Sequence, residues 1–296
     1  MILKEIDEGV ARSLVPHREA VGNKGSFGKT LLLVGSDKYR GAMLLCLESA
    51  LRGGAGYTFL CSGKGLIDLA LVKFPEAIYK EISPFDSMND GEACEISELS
   101  ESFGSVAIGC GCGVSLGLFS LVSSLMKTGG GPLVIDADAI NSIATYAPDK
   151  AALFKEAKRP IVLTPHPLEL SRLTGLSPEE INENRKETAE RIAREYGVIL
   201  LLKGNRTVIT DGETTYVNTS GSSALAKGGS GDCLAGLIAS LLAKGDNDAL
   251  GICALSAYLH GKAGDALALE YSDFGVTPSD LPKAMAKELS NLYKLK

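Results

Sequence analysis

Short apolar or β-branched runs recur along the chain, separated by stretches long enough for a helix, and this alternation limits the fold more than any other feature. The runs lie at 30–34, 57–60, 105–108, 133–135, 161–163 and 198–202. They are apolar almost throughout, as strands covered on both faces must be. Stretches with apolar residues at helical spacing lie at 41–52, 116–127, 178–196 and 232–244. Such alternation predicts a mostly parallel sheet with helices on both faces. Segment 207–218 differs, because Val208-Ile209-Thr210 and Thr214-Thr215-Tyr216-Val217 flank Asp211-Gly212-Glu213. That pattern predicts an antiparallel hairpin at one sheet edge. Only helices are expected after it, over 246–271 and 278–293, the second opened by Thr277-Pro278. With no long linker, repeat or low-complexity tract in 296 residues, one α/β domain is expected.

Charge and cysteine usage exclude several function classes. The net charge is −6, and no run of five Lys or Arg occurs, which disfavours nucleic-acid binding. No apolar stretch approaches the ~18 residues needed to span a bilayer. The N-terminus, Met1-Ile2-Leu3-Lys4-Glu5-Ile6-Asp7-Glu8, lacks the apolar core of a signal peptide, so the cytoplasm is expected. The seven cysteines are odd in number, and Cys110-Gly111-Cys112 lacks C-x-x-C spacing, so all are expected to be reduced.

Glycine, 34 of 296 residues, exceeds the usual ~7% and is clustered. The densest cluster, Lys227-Gly228-Gly229-Ser230-Gly231-Asp232, leads into an apolar helix. Converging backbone amides and a helix N-terminus suit a phosphate there. The spacing is neither G-x-x-x-x-G-K-[ST] nor G-x-G-x-x-G. Asp232 is either the helix N-cap or a general base beside a phosphate cradle. Upstream, Lys203-Gly204-Asn205-Arg206-Thr207 follows a strand, where open α/β sheets bind ligands; it is a solvated basic turn or a phosphate-contacting loop. His166, between Pro165 and Pro167, precedes Glu169 by three residues at a probable helix start, and is a candidate ligand contact. Gly109-Cys110-Gly111-Cys112-Gly113 and the pair Asp136 and Asp138 also stand at strand ends. The acidic pair caps a helix or serves magnesium through waters.

Together these segments resemble the ADP/ATP-dependent NAD(P)H-hydrate dehydratases of the ribokinase-like superfamily. Asn23-Lys24-Gly25-Ser26-Phe27-Gly28 and Gly35-Ser36-Asp37-Lys38-Tyr39-Arg40-Gly41-Ala42 resemble that family's opening motifs, and later motifs follow in order through Tyr258-Leu259-His260-Gly261-Lys262-Ala263-Gly264-Asp265. Two departures stand out. The family's G-P-G-L-G reads Gly109-Cys110-Gly111-Cys112-Gly113, and its N-P-G-M-A-T reads Ser222-Ser223-Ala224-Leu225-Ala226-Lys227.

The resemblance implies a ribokinase-like fold and repair of NADH or NADPH whose nicotinamide ring has been hydrated. It implies phosphorylation of the added hydroxyl by ADP or ATP with Mg²⁺, then elimination of phosphate. Asp232 would be the base. Lys203, Gly204, Asn205, Arg206, Thr207, Gly229, Ser230 and Gly231 would bind the nucleotide. Ala42, Gly111, Gly113, His166 and Asp232 would bind the hydrate, and Glu169 would act through magnesium. A homotetramer is implied, as is cooperation with a separate NAD(P)H-hydrate epimerase, since larger relatives carry that domain in front while the first motif here starts at Asn23. A small-alcohol kinase of the same fold, of hydroxyethylthiazole or hydroxymethylpyrimidine type, and a catalytically silent nucleotide-binding protein are the alternatives.

Overall fold

A computed structural model describes residues 2–245 and 248–295. In chain order, β1 (Ile2–Ile6), α1 (Glu8–Leu14), β2 (Lys29–Leu33), α2 (Arg40–Arg52), β3 (Tyr57–Ser62), α3 (Lys64–Lys73) and β4 (Ile78–Glu81) come first. Then follow α4 (Asp90–Ser100), β5 (Ser105–Ile108), α5 (Leu116–Lys127), β6 (Leu133–Ile135), α6 (Ala137–Tyr146), α7 (Lys150–Lys155), β7 (Ile161–Leu163) and α8 (Pro167–Thr174). The chain continues through α9 (Pro178–Glu183), α10 (Arg185–Tyr196), β8 (Ile199–Leu202), β9 (Val208–Thr210), β10 (Thr214–Asn218), α11 (Ser230–Leu242), α12 (Ala249–Gly275) and α13 (Leu281–Lys294).

The strands form one sheet in the order β1-β10-β9-β8-β7-β6-β5-β2-β3-β4. Only β9 runs antiparallel to its neighbours among these described strands. Because strand side chains alternate between faces, Leu32, Ala107, Val134, Val162 and Leu201 join one core with α2, α11 and α12. Their neighbours Leu31, Val106, Leu133, Ile161 and Leu200 join the opposite core with α5, α6, α8 and α10. The expected mostly parallel α/β architecture is therefore present.

Strand order reverses between β2 and β5, since β2, β3 and β4 run outward one way and β5 to β8 the other. A crevice opens at such a switch point, beyond the carboxyl ends of the strands. α11 is laid along the sheet so close to α2 that a Cβ on Gly236 would lie 2.1 Å from the Cys46 carbonyl oxygen. This approach aims the N-terminus of α11 at the crevice.

Several expectations need correction. The hairpin is not at the edge: β1 pairs in parallel with β10 and covers it. β1 was hidden because Lys4 and Glu5 interrupt its apolar pattern, and Ile2 to Glu5 are exposed. β4 was hidden likewise, with none of its four residues buried. The expected helix 178–196 is two helices, broken at Asn184 with φ −126° and ψ 45°. The expected helix start at 246 and 247 lies outside the described residues; the remainder is helical from Ala249 and breaks at Ser272 (φ 58°, ψ 167°), one residue past the expected end, before a last turn to Gly275.

Gly236→Ala is expected to cost roughly 1–3 kcal/mol, because the methyl group must displace backbone. Gly65→Ala, where a Cβ meets nothing within 4 Å, should stay within ~0.5 kcal/mol of the parent. Denaturant midpoints at unchanged slope measure both, and equal stabilities would refute the close contact.

Candidate active site

A cavity of about 910 Å³ opens at the carboxyl ends of β6, β7 and β8. Its walls include Lys203, Gly204, Asn205, Arg206 and Thr207 after β8, His166 and Glu169 after β7, and Gly229, Ser230, Gly231 and Asp232 at the start of α11. The two donor-nucleotide segments, far apart in sequence, thus share one cavity, together with His166, expected at the hydrate, and with Glu169 and Asp232.

Asp136 organises this wall. It sits at the N-cap position of α6 but makes no cap with its side chain. Its Oδ1 instead accepts from Lys203 Nζ at 2.7 Å and from Thr164 Oγ1 at 2.8 Å. Lys203 Nζ also lies 3.8 Å from Glu169 Oε2. Burial disfavours the Lys203 ammonium, but Asp136 and Glu169 outweigh burial and hold its pKa above the ordinary lysine value. Glu169 is raised above the carboxylate range by burial, with Lys203 opposing and Asp136 reinforcing.

His166 has a defined local role. Its Nδ1 accepts from the amides of Leu168 and Glu169, each at 3.2 Å, and Glu169 Oε2 accepts from the His166 amide at 2.8 Å. This reciprocal capping box starts α8. With Nδ1 accepting, the ring proton resides on Nε2, 3.2 Å from Glu169 Oε1. Burial first and Lys203 second lower the His166 pKa, so the ring is neutral at pH 7. It shares the cavity with Lys203, although the two follow different strands.

The glycine-rich loop removes one of the two readings of Asp232. α11 begins two residues earlier than the apolar pattern suggested, at Ser230, and Gly229 takes the N-cap position with φ 103°. Asp232 is therefore the third helical residue, and the N-cap alternative is ruled out. Positive φ is what requires glycine there; a Cβ would first meet the movable Leu45 Cδ1, at 2.5 Å. The Ser230 amide turns back to the Lys227 carbonyl at 3.2 Å. First-turn amides have no intrahelical acceptor, which leaves Gly231 and Asp232 to present theirs. Ser230 is fixed by His260, whose Nε2 lies 3.0 Å from Ser230 Oγ and 3.1 Å from its carbonyl oxygen. Burial pushes the His260 pKa down to about 4, so it is neutral. Asp232 itself is pushed up to about 6, by burial first and the Asp136 charge second, against a hydrogen bond from Cys110 and the charge of Lys203.

On the other side of Asp232 lies loop 109–113. Gly111, with φ 64°, packs so tightly on α2 that a Cβ would lie 2.7 Å from Ala42 Cβ. Gly113 donates its amide to Asp138 Oδ2 at 2.8 Å and lines a second cavity of about 900 Å³ with Cys112 and Tyr39. Ala42, Gly111 and Gly113 thus group on this side, and His166 on the side of Lys203. Arg206 lines the first cavity while its guanidinium pairs with Glu5 of β1. Three participants were not among the assigned site residues. Asp136 was noted only as half of an acidic pair, and Cys110 only as a departure from a motif. Arg185, which donates to the Leu202 and Lys203 carbonyls at 3.0 Å, had no sequence signal because it lay inside an expected helix.

Residues 30–287 match the family model described as NAD(P)H-hydrate dehydratase. A bifunctional NAD(P)H-hydrate repair enzyme of Thermofilum pendens is 36% identical over 283 residues, 94% of this chain and 53% of that protein. The chain thus spans about half the length of that relative. An ADP-dependent (S)-NAD(P)H-hydrate dehydratase of Bacillus subtilis is 33% identical over 264 residues, 88% of each. The crystal structure of a Bacillus subtilis ADP/ATP-dependent NAD(P)H-hydrate dehydratase, grown with ATP and Mg²⁺, superposes with a TM-score of 0.84 at 29% identity over 97% of each chain. A ribokinase-like protein of Enterococcus faecalis shares the fold.

Lys203→Met leaves Asp136, 2% exposed, without its cation and should cost on the order of 3 kcal/mol. Adding Asp136→Asn should recover part of that loss, and additive losses in denaturation would refute the pairing. Asp232→Asn should behave differently. Its folded value near 6 exceeds the ordinary 3.8, so the parent loses stability as pH rises through that window. The variant should therefore melt no lower than the parent at pH 8, with any advantage vanishing as pH falls toward 4. A lower melting temperature at pH 8 would contradict the assigned environment.

Proposed function

The chain belongs to the NAD(P)H-hydrate dehydratase family, and from that premise we propose that it restores hydrated NADH or NADPH in a reaction driven by ADP or ATP. The observation that carries the reading is Asp232: a half-buried carboxylate beside the amides that open α11, between the nucleotide-sized cavity and loop 109–113. A general base needs a pKa near working pH, and burial has brought this one toward it.

In the proposed sequence, the hydrate hydroxyl attacks the terminal phosphorus of the nucleotide while Asp232 takes its proton. The P–O bond to the shortened nucleotide breaks, and the amides of Gly231 and Asp232 face the charge on the transferring oxygens. The ring nitrogen lone pair then expels phosphate. Loss of a proton from the adjacent ring carbon restores the dihydropyridine. Lys203, Gly204, Asn205 and Thr207 would hold the donor, with Lys203 positioned through Asp136. Ala42, Gly111 and Gly113 would border the hydrate, and His166 would set the start of α8 between the two ligands.

Asp136 and Glu169 are oxygen donors at the cavity wall, which suits Mg²⁺. Both Glu169 oxygens are already engaged with His166, and the Lys203 ammonium lies beside both carboxylates. Glu169 and Asp136 would hold Mg²⁺ together with the donor phosphates. Mg²⁺ would neutralise phosphate charge. The seven free thiols suit a reducing compartment such as the cytoplasm, and the described residues include no helix long and apolar enough to cross a membrane. Leu269 and Phe274, 92% and 94% exposed near the end of α12, are apolar side chains that a homo-oligomer would cover. A stereospecific site would also call for an epimerase, separate from this catalytic unit, to convert the other hydrate epimer.

Incubation with hydrated NADH and ATP or ADP should release inorganic phosphate in step with recovery of NADH absorbance. A stable phosphorylated product would mark a kinase instead, and no change in either signal would refute catalysis. The kcat/KM should rise with pH through about 6 as Asp232 loses its proton. Asp232→Asn should lower kcat roughly 10²- to 10⁴-fold with both ligands still bound. A fall under threefold would remove Asp232 as the base.

A further inference from the structure

The motif departure at Cys110 places sulfur where the family it resembles has proline, and the fold puts that sulfur at the centre of the site. Cys110 is fully buried. Its Sγ lies 3.7 Å from Asp136 Oδ2, and the Asp232 carboxylate stands close by. One ligand atom from each of Cys110, Asp136 and Asp232 lies within 4.8 Å of the other two.

Asp136 divides its oxygens. Oδ1 serves Lys203 and Thr164, while Oδ2 is left to the thiol. Gly231 borders this group: a Cβ there would stand 3.3 Å from Lys203 Nζ and 4.0 Å from Oδ2. The Lys203 ammonium compensates Asp136 from the Oδ1 side.

We propose that Cys110, Asp136 and Asp232 form a binding site for a thiophilic divalent cation of the Zn²⁺ class. Zinc–sulfur bonds of ~2.3 Å and zinc–oxygen bonds of ~2.0–2.2 Å place tetrahedral ligand atoms roughly 3.3–3.8 Å apart. Modest side-chain rotations bring the three atoms to that spacing. Sulfur selects against Mg²⁺, which takes octahedral oxygen shells. On binding, the S–H bond breaks, the S–metal bond forms and the proton passes to solvent. Asp136 and Asp232 line the cavity, from which water would supply a fourth ligand. Occupation engages the Asp232 carboxylate, so the ion also blocks turnover; that consequence rests on the function proposed above, whereas binding does not.

Cd²⁺ serves as the spectroscopic probe, because a cadmium–thiolate bond has its own ultraviolet charge-transfer band. The full chain carrying Cys94→Ser, which removes the exposed thiol, is titrated with Cd²⁺ and compared with the same chain also carrying Cys110→Ser, Cys112→Ser or Asp232→Asn. The expected result is a band saturating at one Cd²⁺ per chain, reversed by Zn²⁺ and unaffected by Mg²⁺. It should persist in Cys112→Ser and be absent from Cys110→Ser. Asp232→Asn should weaken binding at least tenfold, roughly what losing even an outer partner of a metal ligand costs. Melting curves establish that each variant is folded; if Cys110→Ser is not, the Asp232→Asn affinity decides. No band in the parent, a band surviving Cys110→Ser, or unchanged affinity in Asp232→Asn overturns the site. Zn²⁺ should also inhibit phosphate release more strongly in the parent than in Cys110→Ser. An enzyme without dehydratase activity would fail that arm alone, and the Cd²⁺ titration would still decide whether the cation binds.

Discussion

Lys203 Nζ and Asp136 Oδ1, 2.7 Å apart, tie the end of β8 to the end of β6 across the intervening β7. Much of the site's order follows from that contact. A buried ion pair adds little net stability, because desolvation offsets most of the attraction, but breaking one is costly and the geometry is therefore specified. Glu169 shares the same ammonium at 3.8 Å, which draws the start of α8 inward and puts His166 at the cavity wall. Asp232 receives less of that compensation. Burial and the negative charge of Asp136 dominate its surroundings, so it alone combines a raised pKa with a carboxylate free of backbone duties.

Legibility in the sequence followed burial. β5, β6 and β7 and helix α5 lie where the apolar runs placed them, since each is enclosed and its pattern is set by the core. β1 and β4 escaped notice at the two sheet edges, where exposed faces admit Lys4, Glu5, Lys80 and Glu81 and erase the apolar signal. The same reasoning covers the site. The glycines of 228–231 announce a cradle by their clustering before an apolar helix, and at Gly229 the φ of 103° requires one. Asp136 was harder to rank, since an acid before a helix reads equally well as a cap, and only the tertiary position of Lys203 shows that its side chain points elsewhere. Arg185 was invisible because the break at Asn184 that frees it depends on packing.

The departures from the family pattern are absorbed in different ways. In the loop before α11, Lys227 donates to the Phe274 carbonyl at 2.6 Å and to that of Val276, anchoring to α12 and the segment beyond it a segment that has no proline to stiffen it. In loop 109–113, positive φ at Gly109, Gly111 and Gly113 preserves the turn. Cys112 donates to the Leu33 carbonyl at 3.3 Å and becomes a packing residue. Cys110 has no such backbone partner and faces carboxylates instead. Two cysteines separated by one residue thus have unlike surroundings, and only one of them adds chemistry to the crevice.

α8 and α11 offer the most direct comparison within the molecule. Each opens with an acid at its third helical position, Glu169 in one and Asp232 in the other. At α8 the N-cap is His166, whose side chain engages the amides while Glu169 reaches back in return, so the acid is consumed by the helix end. At α11 the N-cap is Gly229, which has no side chain to enter such an exchange, and the Gly231 and Asp232 amides are left at the cavity together with the carboxylate. A helix end normally favours an acid in its first turn and would lower its pKa. The upward shift of Asp232 means that burial and Asp136 exceed this attraction. A glycine at one N-cap and a histidine at the other therefore separate a structural acid from one available for proton transfer, although both lie in the same cavity and at the same helical position.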